Sequence, residues 1–257
     1  ATAEQKAYLL AFTLEADAVW GALKLAKGEY FATADQIFPA SALADQQADE
    51  EQTNANNNTN SGLPTTPILP VQPAKGLDSD GDQLTDIEEN IFKTDSAKAD
   101  SDNDGYLDAS EILNFFNPIS ASGRLVDSGL TGIYQNPSYN YSLFYPKPWS
   151  ARSLNTANSE VIFTSNTGEF IEVIVQENPL TLSAKNWYLD KNKSADPATL
   201  KNVLVGGLAA IQTPNGLTTY LALGSSIYIL SYDTGNQQQM NFYTTYQLFL
   251  KSFIFIE

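Results

Sequence analysis

The spacing of hydrophobic positions changes repeatedly along the 257-residue chain, and each change marks a segment. In residues 4–27, Leu9, Phe12, Ala16, Val19, Leu23 and Ala26 recur at alternating steps of three and four. That is the seam of an amphipathic helix, widened by Leu10, Leu14, Trp20 and Leu25, with Gly28 placed to end it. Residues 29–44, with Tyr30, Phe31, Ile37, Phe38 and Pro39, read as a second short helical or irregular segment. A helix this apolar needs cover, from its own domain or from another subunit. From about Thr131 the period shortens towards two and β-branched and aromatic residues accumulate. Strands are expected at 139–145, 160–165, 170–176, 207–213, 217–224 and 226–232, with helices at 182–191 and 238–249. Pro214-Asn215-Gly216 supplies a hairpin turn between two of the strands.

Between these regions the apolar pattern lapses. Residues 45–76 run through an Asn/Thr tract into a stretch punctuated by Pro64, Pro67, Pro70 and Pro73, the composition of a linker that is flexible first and extended later. Residues 77–118 are dense in carboxylates. Between Ala74 and Ile112 twelve acidic residues stand against Lys75, Lys93 and Lys98, so this segment holds more than half of the net charge of −16.

The acidic spacing is regular. Asp100, Asp102, Asp104, Tyr106, Asp108 and Glu111 fall at positions 1, 3, 5, 7, 9 and 12 of a twelve-residue loop, with Gly105 at the sharp sixth position. Position 7 offers its backbone carbonyl, position 9 binds directly or through water, and a glutamate at position 12 closes the shell with two oxygens. Six or seven hard oxygen donors suit Ca²⁺, whereas Mg²⁺ wants a tighter octahedron. An earlier loop repeats the pattern 22 residues upstream with Asp78, Asp80, Asp82, the carbonyl of Leu84, Asp86 and Glu89. There Gln83 holds the sixth position and Gly81 the fourth, so a left-handed Gln83 is expected to cost about 1 kcal/mol. Asp95, just ahead of the second loop, is a candidate additional ligand. Two or more Ca²⁺ ions are expected in all.

Composition narrows the chemistry. The chain has no histidine and no cysteine, which removes disulfides, thiolate and imidazole metal sites, and the usual base of serine and cysteine hydrolases. The chain is read as non-enzymatic. Its acidity disfavours nucleic acid and anionic membranes as partners. No apolar run is long enough to span a membrane. The first residue, Ala1, is read as the start of a mature, exported chain. Asn57, Asn140 and Asn192 each open an Asn-x-Ser/Thr triplet and are candidate glycan sites.

The Asp-x-Asp-x-Asp loops with their short Ile/Leu-bearing segments resemble the thrombospondin type 3, EF-hand-like repeats of bacterial surface proteins. Dockerins share a 22-residue double repeat, but Glu89 and Glu111 fit EF-type loops better. The resemblance implies a structural calcium site, without the opening motion of a calcium sensor. Downstream, Tyr139, Tyr141, Ser142, Tyr145-Pro146 and Trp149, with Lys251–Phe255 at the far end, resemble domains of the PsbP/Mog1 type. That resemblance implies an antiparallel sheet with a C-terminal helix and a final strand.

The expected fold class is α+β. It comprises an N-terminal helical segment (1–44), a long linker (45–76), a tandem short EF-hand-like calcium repeat (77–118) and a C-terminal antiparallel sheet with helices (131–257). The expected role is an extracellular or cell-surface bacterial structural protein. It would self-assemble as a homo-oligomer or helical polymer through the N-terminal helix and linker, with Ca²⁺ rigidifying the connector. The alternative is a monomeric surface module that recognises a glycan or protein through its C-terminal domain.

Overall fold

Residues 73–256 are described by the computed structural model. The expected N-terminal helical segment, all but the last residues of the linker and the candidate glycan site Asn57 lie outside the described residues.

The chain here is mixed α and β, built on a large antiparallel sheet. Short strand β1 (Ala74–Lys75) leads into the two acidic loops, each followed by a short helix: α1 (Asp86–Phe92) and α2 (Asp108–Leu113). Thr85 caps α1 in a capping box with Glu88, and Lys93 ends it in the left-handed region at φ 61°. Helix α2 stops at Leu113, and Phe115 beyond it lies at φ 65°. After a single 3-10 turn at Leu125–Asp127 come β2 (Thr131–Asn136), β3 (Tyr141–Pro146), β4 (Ser150–Ser153), β5 (Glu160–Thr164) and β6 (Phe170–Glu177). Helix α3 (Ala184–Lys191) precedes β7 (Lys201–Val205), β8 (Leu208–Gln212), β9 (Thr218–Leu223), β10 (Ser226–Asp233) and β11 (Gln239–Met240). Helix α4 (Tyr243–Ser252) and β12 (Ile254–Phe255) close the chain.

Seven strands pair antiparallel in the order β4-β5-β6-β10-β9-β8-β7, and β12-β3-β2 form a second, three-stranded sheet. Central strands β6 and β10 register Tyr228 against Val175 and Leu230 against Val173. Both are buried along most of their length, which explains their near-continuous apolar runs. Strands β2, β4 and β7 add to those expected.

Helix α4 begins at Tyr243, not Gln238, because Gln239 and Met240 pair in parallel with Ala74 and Lys75. It is buried nearly all round, for it works on two faces. Tyr246 and Phe249 pack into the main core with Trp149, Phe163 and Tyr232. Leu248 instead joins Leu84, Phe92, Ala109, Ile112, Leu125 and Leu130, the core of the acidic repeat. The repeat and the sheet therefore share a helix, and the described residues all belong to one compact unit. The repeat is thus docked on the domain it was expected only to connect. Among the described residues no helix is long and apolar enough to cross a membrane.

Candidate metal centre

Each acidic loop folds around its first aspartate. Asp78 accepts the Gly81 N–H on Oδ1 at 2.8 Å and the Gln83 N–H on Oδ2 at 3.1 Å. Asp100 does the same with Asn103 at 2.8 Å and Gly105 at 3.0 Å. Such closure requires the fourth and sixth positions to turn left-handed. They do so in both loops: Gly81 and Gln83 at φ 81° and 90°, Asn103 and Gly105 at 64° and 100°. The loops therefore share one backbone with the glycine exchanged between two positions. Gln83 adopts the costly conformation, and its carbonyl accepts a 2.7 Å hydrogen bond from Thr244 of α4.

The third and fifth aspartates each give one oxygen to a backbone N–H two residues on, Asp80 to Asp82 and Asp82 to Leu84, Asp102 to Asp104 and Asp104 to Tyr106. These turns draw the carboxylates together. Oxygens of Asp78, Asp80 and Asp82 all lie within 4.8 Å of one another, as do those of Asp100, Asp102 and Asp104. The ninth-position residues act differently. Asp86 accepts both the N–H and the hydroxyl of Ser79, at 2.9 Å each, and Asp108 accepts the same pair from Ser101. They brace their loops through the second position, a role for Ser79 and Ser101 that the repeated Asp-Ser-Asp could have signalled. Asp95 stays outside the triads, its Oδ1 accepting from the Ala97 N–H at 3.2 Å.

The twelfth-position glutamates complete the picture. Glu89 is fully buried and Glu111 is 5% exposed. Seven buried side-chain polar atoms lack a partner among the described residues, and four are Asp80 Oδ2, Glu89 Oε2, Asp102 Oδ2 and Glu111 Oε2. They occupy the third and twelfth positions of both loops. Burial pushes the Glu89 carboxyl up to about 8, helped by the charges of Asp80, Asp82, Asp86 and Asp108. Glu111 rises to about 8 through burial and the neighbouring Asp102, Asp104, Asp108 and Asp100. Asp82 and Asp108 are also raised, chiefly by burial. Among the described residues no lysine or arginine forms an ion pair with these carboxylates. Anionic oxygens held together without counter-charge cost several kcal/mol, and a bound cation removes that cost. The donor set fits a metal ion at each triad.

The two loops are physically linked. Helix α2 has no side-chain cap of its own at Leu107. Instead Asp82 Oδ2, from the first loop, accepts the Ala109 N–H at 2.9 Å. Asp108 is wholly buried and lies close enough to both triads to feel Asp100 and Asp80.

A second set of contacts fastens the first loop to α4. Glu88 is fully buried, accepting the Thr245 N–H at 2.6 Å on one oxygen and the Thr85 N–H at 3.1 Å on the other. It thereby satisfies a first-turn amide of α4, and burial raises its pKa to about 7 despite those bonds. Thr85 also donates to the Asn241 carbonyl at 2.6 Å. Asn241 is held in turn by buried Glu169, which accepts both its backbone and side-chain N–H groups at 3.0 Å. Thr85-x-x-Glu88 is a capping-box pattern readable in the sequence, but its reach to Thr245 is not.

No family profile matches this chain, nor does any curated protein. The solved structures similar to part of it include two from bacteria. One is the 1.50 Å crystal structure of a Bacteroides thetaiotaomicron VPI-5482 protein, 10% identical with a TM-score of 0.38, covering 50% of this chain. This chain spans 49% of that protein, about half its length. The other is the solution structure of cyanobacterial PsbP (CyanoP) from Synechocystis sp. PCC 6803, 14% identical with a TM-score of 0.34. It covers 52% of this chain and 97% of its own. Neither likeness says what this chain binds. Of the candidate glycan sites, Asn140 is exposed in the β2–β3 turn. Asn192 ends α3, its side-chain amide donating to the Tyr188 carbonyl at 2.9 Å.

Proposed function

We propose that this protein is an extracellular calcium-stabilised structural protein whose two loops each hold one Ca²⁺ ion. The observation that carries the reading is the repeated pair of buried, partnerless carboxylate oxygens at the third and twelfth positions. A solvated acidic face has no reason to bury those two oxygens twice at one spacing. Calcium suits the set better than magnesium, because carboxylate and carbonyl oxygens on a flexible loop build a shell of six to eight without demanding an octahedron. The ligands would be Asp78, Asp80, Asp82, the Leu84 carbonyl and Glu89 in the first site, and Asp100, Asp102, Asp104, the Tyr106 carbonyl and Glu111 in the second.

In this reading calcium locks the repeat onto the sheet domain. An ion drawing Asp78, Asp80 and Asp82 together fixes Gln83 and Thr85, which hold α4 through Thr244 and Asn241. At a hundredfold excess over Kd each ion would contribute about 2.7 kcal/mol. Millimolar extracellular calcium makes even a weak site useful. Assembly into a surface filament through residues 1–76 remains part of the proposal, motivated by the apolar seam from Leu9 to Ala26.

Two experiments test it. Hydrogen exchange on the full chain, in millimolar calcium and in chelator, should show calcium-dependent protection in residues 84–92 and in the first turn of α4. Uniform protection in both conditions would remove the lock. Negative-stain electron microscopy of the same samples addresses assembly: filaments or regular oligomers support it, and dispersed particles in both conditions overturn it.

A further inference from the structure

A cavity of about 410 Å³ opens beside the second loop, and two of the expected ligands of that loop, Asp104 and Glu111, form part of its wall. The size falls in the range of small-molecule sites. Glu111 is 95% buried and its Oε2 has no partner, so an unsatisfied acceptor lies just behind the cavity wall. Another wall carries Tyr106 and Phe116, large aromatic side chains left 65% and 56% exposed. Ser120 and Ser122 add hydroxyls, and no lysine or arginine lines the cavity.

The first loop shows what is special here. Its seventh position, which corresponds to Tyr106, is Leu84, fully buried in the core of the repeat. The second loop places at that position an aromatic ring that packs into no core. Large exposed aromatics lining a cavity are features of a ligand surface.

We infer that this cavity is a calcium-dependent binding site for a neutral sugar, the terminal hexose of a glycan. The inference rests on the calcium reading of the second loop. Calcium accepts up to eight oxygens, more than the loop provides, and two adjacent sugar hydroxyls are hard, neutral donors. The neutrality matters. Asp100, Asp102, Asp104 and Glu111 already outweigh a doubly charged ion, and no cation lines the cavity, so an anionic ligand would be repelled. Tyr106 and Phe116 offer flat apolar surface for the C–H face of the ring, and Ser120 and Ser122 offer hydrogen bonds to its other hydroxyls.

The test is saturation-transfer NMR on the full chain with methyl glycosides of mannose, glucose, galactose and fucose, the methyl group standing for the rest of a glycan. A calcium titration is run on the same sample. Saturation should pass to the ring protons of at least one glycoside in millimolar calcium and vanish in chelator. Phe116→Ser should weaken that glycoside about tenfold, the loss of one aromatic anchor, while both ions still bind. Ser122→Trp, which fills the cavity, should abolish binding with calcium uptake unchanged. Two bound ions with no transfer to any glycoside, or transfer that survives chelator, would overturn the sugar site alone. Failure of the second loop to take up calcium would overturn the calcium reading and the sugar site with it.

Discussion

Replacing Glu89 by glutamine should move stability in opposite directions in the metal-free and calcium-loaded protein. The Glu89 carboxyl titrates at 4.5 when exposed and at about 8 in the folded, metal-free protein. At about pH 7.5 some three units separate solution from the exposed value, and at about 1.36 kcal/mol per unit the folded state bears about 4 kcal/mol to keep this group buried. Glutamine has similar shape and no charge to suppress. Glu89→Gln should therefore stabilise the chelated protein by about 1–3 kcal/mol, the remainder going to the imperfectly bonded amide. In calcium the same change removes a charged, two-oxygen ligand. Affinity at the first site should fall at least about tenfold, or about 1.4 kcal/mol. Urea denaturation of the full chain, with saturating calcium and with chelator, measures both signs in one set of curves. A variant destabilised equally in both conditions would refute the reasoning, because Glu89 would then be an ordinary buried polar residue.

Other consequences follow from the same contacts. In the metal-free protein Glu88, Glu89 and Glu111 all have raised folded pKa values, of about 7, 8 and 8. Their contribution to stability is full below 4.5 and is lost as pH rises through about 8, so the chelated protein should melt higher at pH 5 than at pH 8. The calcium-loaded protein should show the reverse trend, because protonation of the glutamates displaces the ions. Gln83→Gly should stabilise the protein by about 0.5–1 kcal/mol in thermal melts, since glycine accepts φ 90° freely and leaves the carbonyl bonded to Thr244. Glu88→Ala should cost about 2–4 kcal/mol with or without calcium, because it strands the buried Thr245 and Thr85 N–H groups. Asp82→Asn should weaken both ions in calorimetry, because Asp82 serves the first triad and caps the helix of the second loop.

The acidic loops were legible as clusters because their aspartates recur at fixed spacing, and the side chains at positions 1, 3 and 5 of each loop do come together. Even the strained Gln83 could be anticipated from the misplaced glycine. Helix α4 was legible as a helix but not at its start, because nothing local says that Gln239 and Met240 pair with residues some 165 positions earlier. Strands β4 and β7 escaped because most of each faces solvent and little alternation survives. The docking of the repeat was the least visible feature. Glu88 sits beside Glu89 in an acidic run and looks like one more solvated carboxylate. Its burial depends on Thr245, and a pairing of that kind is decided by tertiary packing, not by periodicity. The same holds for Leu248, whose face of α4 belongs to the repeat instead of the sheet.

The most direct test of the central claim is isothermal titration of the full, chelator-stripped chain with calcium, repeated in excess magnesium. Two ions should bind per chain at or below millimolar calcium and stay bound against magnesium. A chain that takes up no calcium in the millimolar range, or binds magnesium as well as calcium, would contradict that claim.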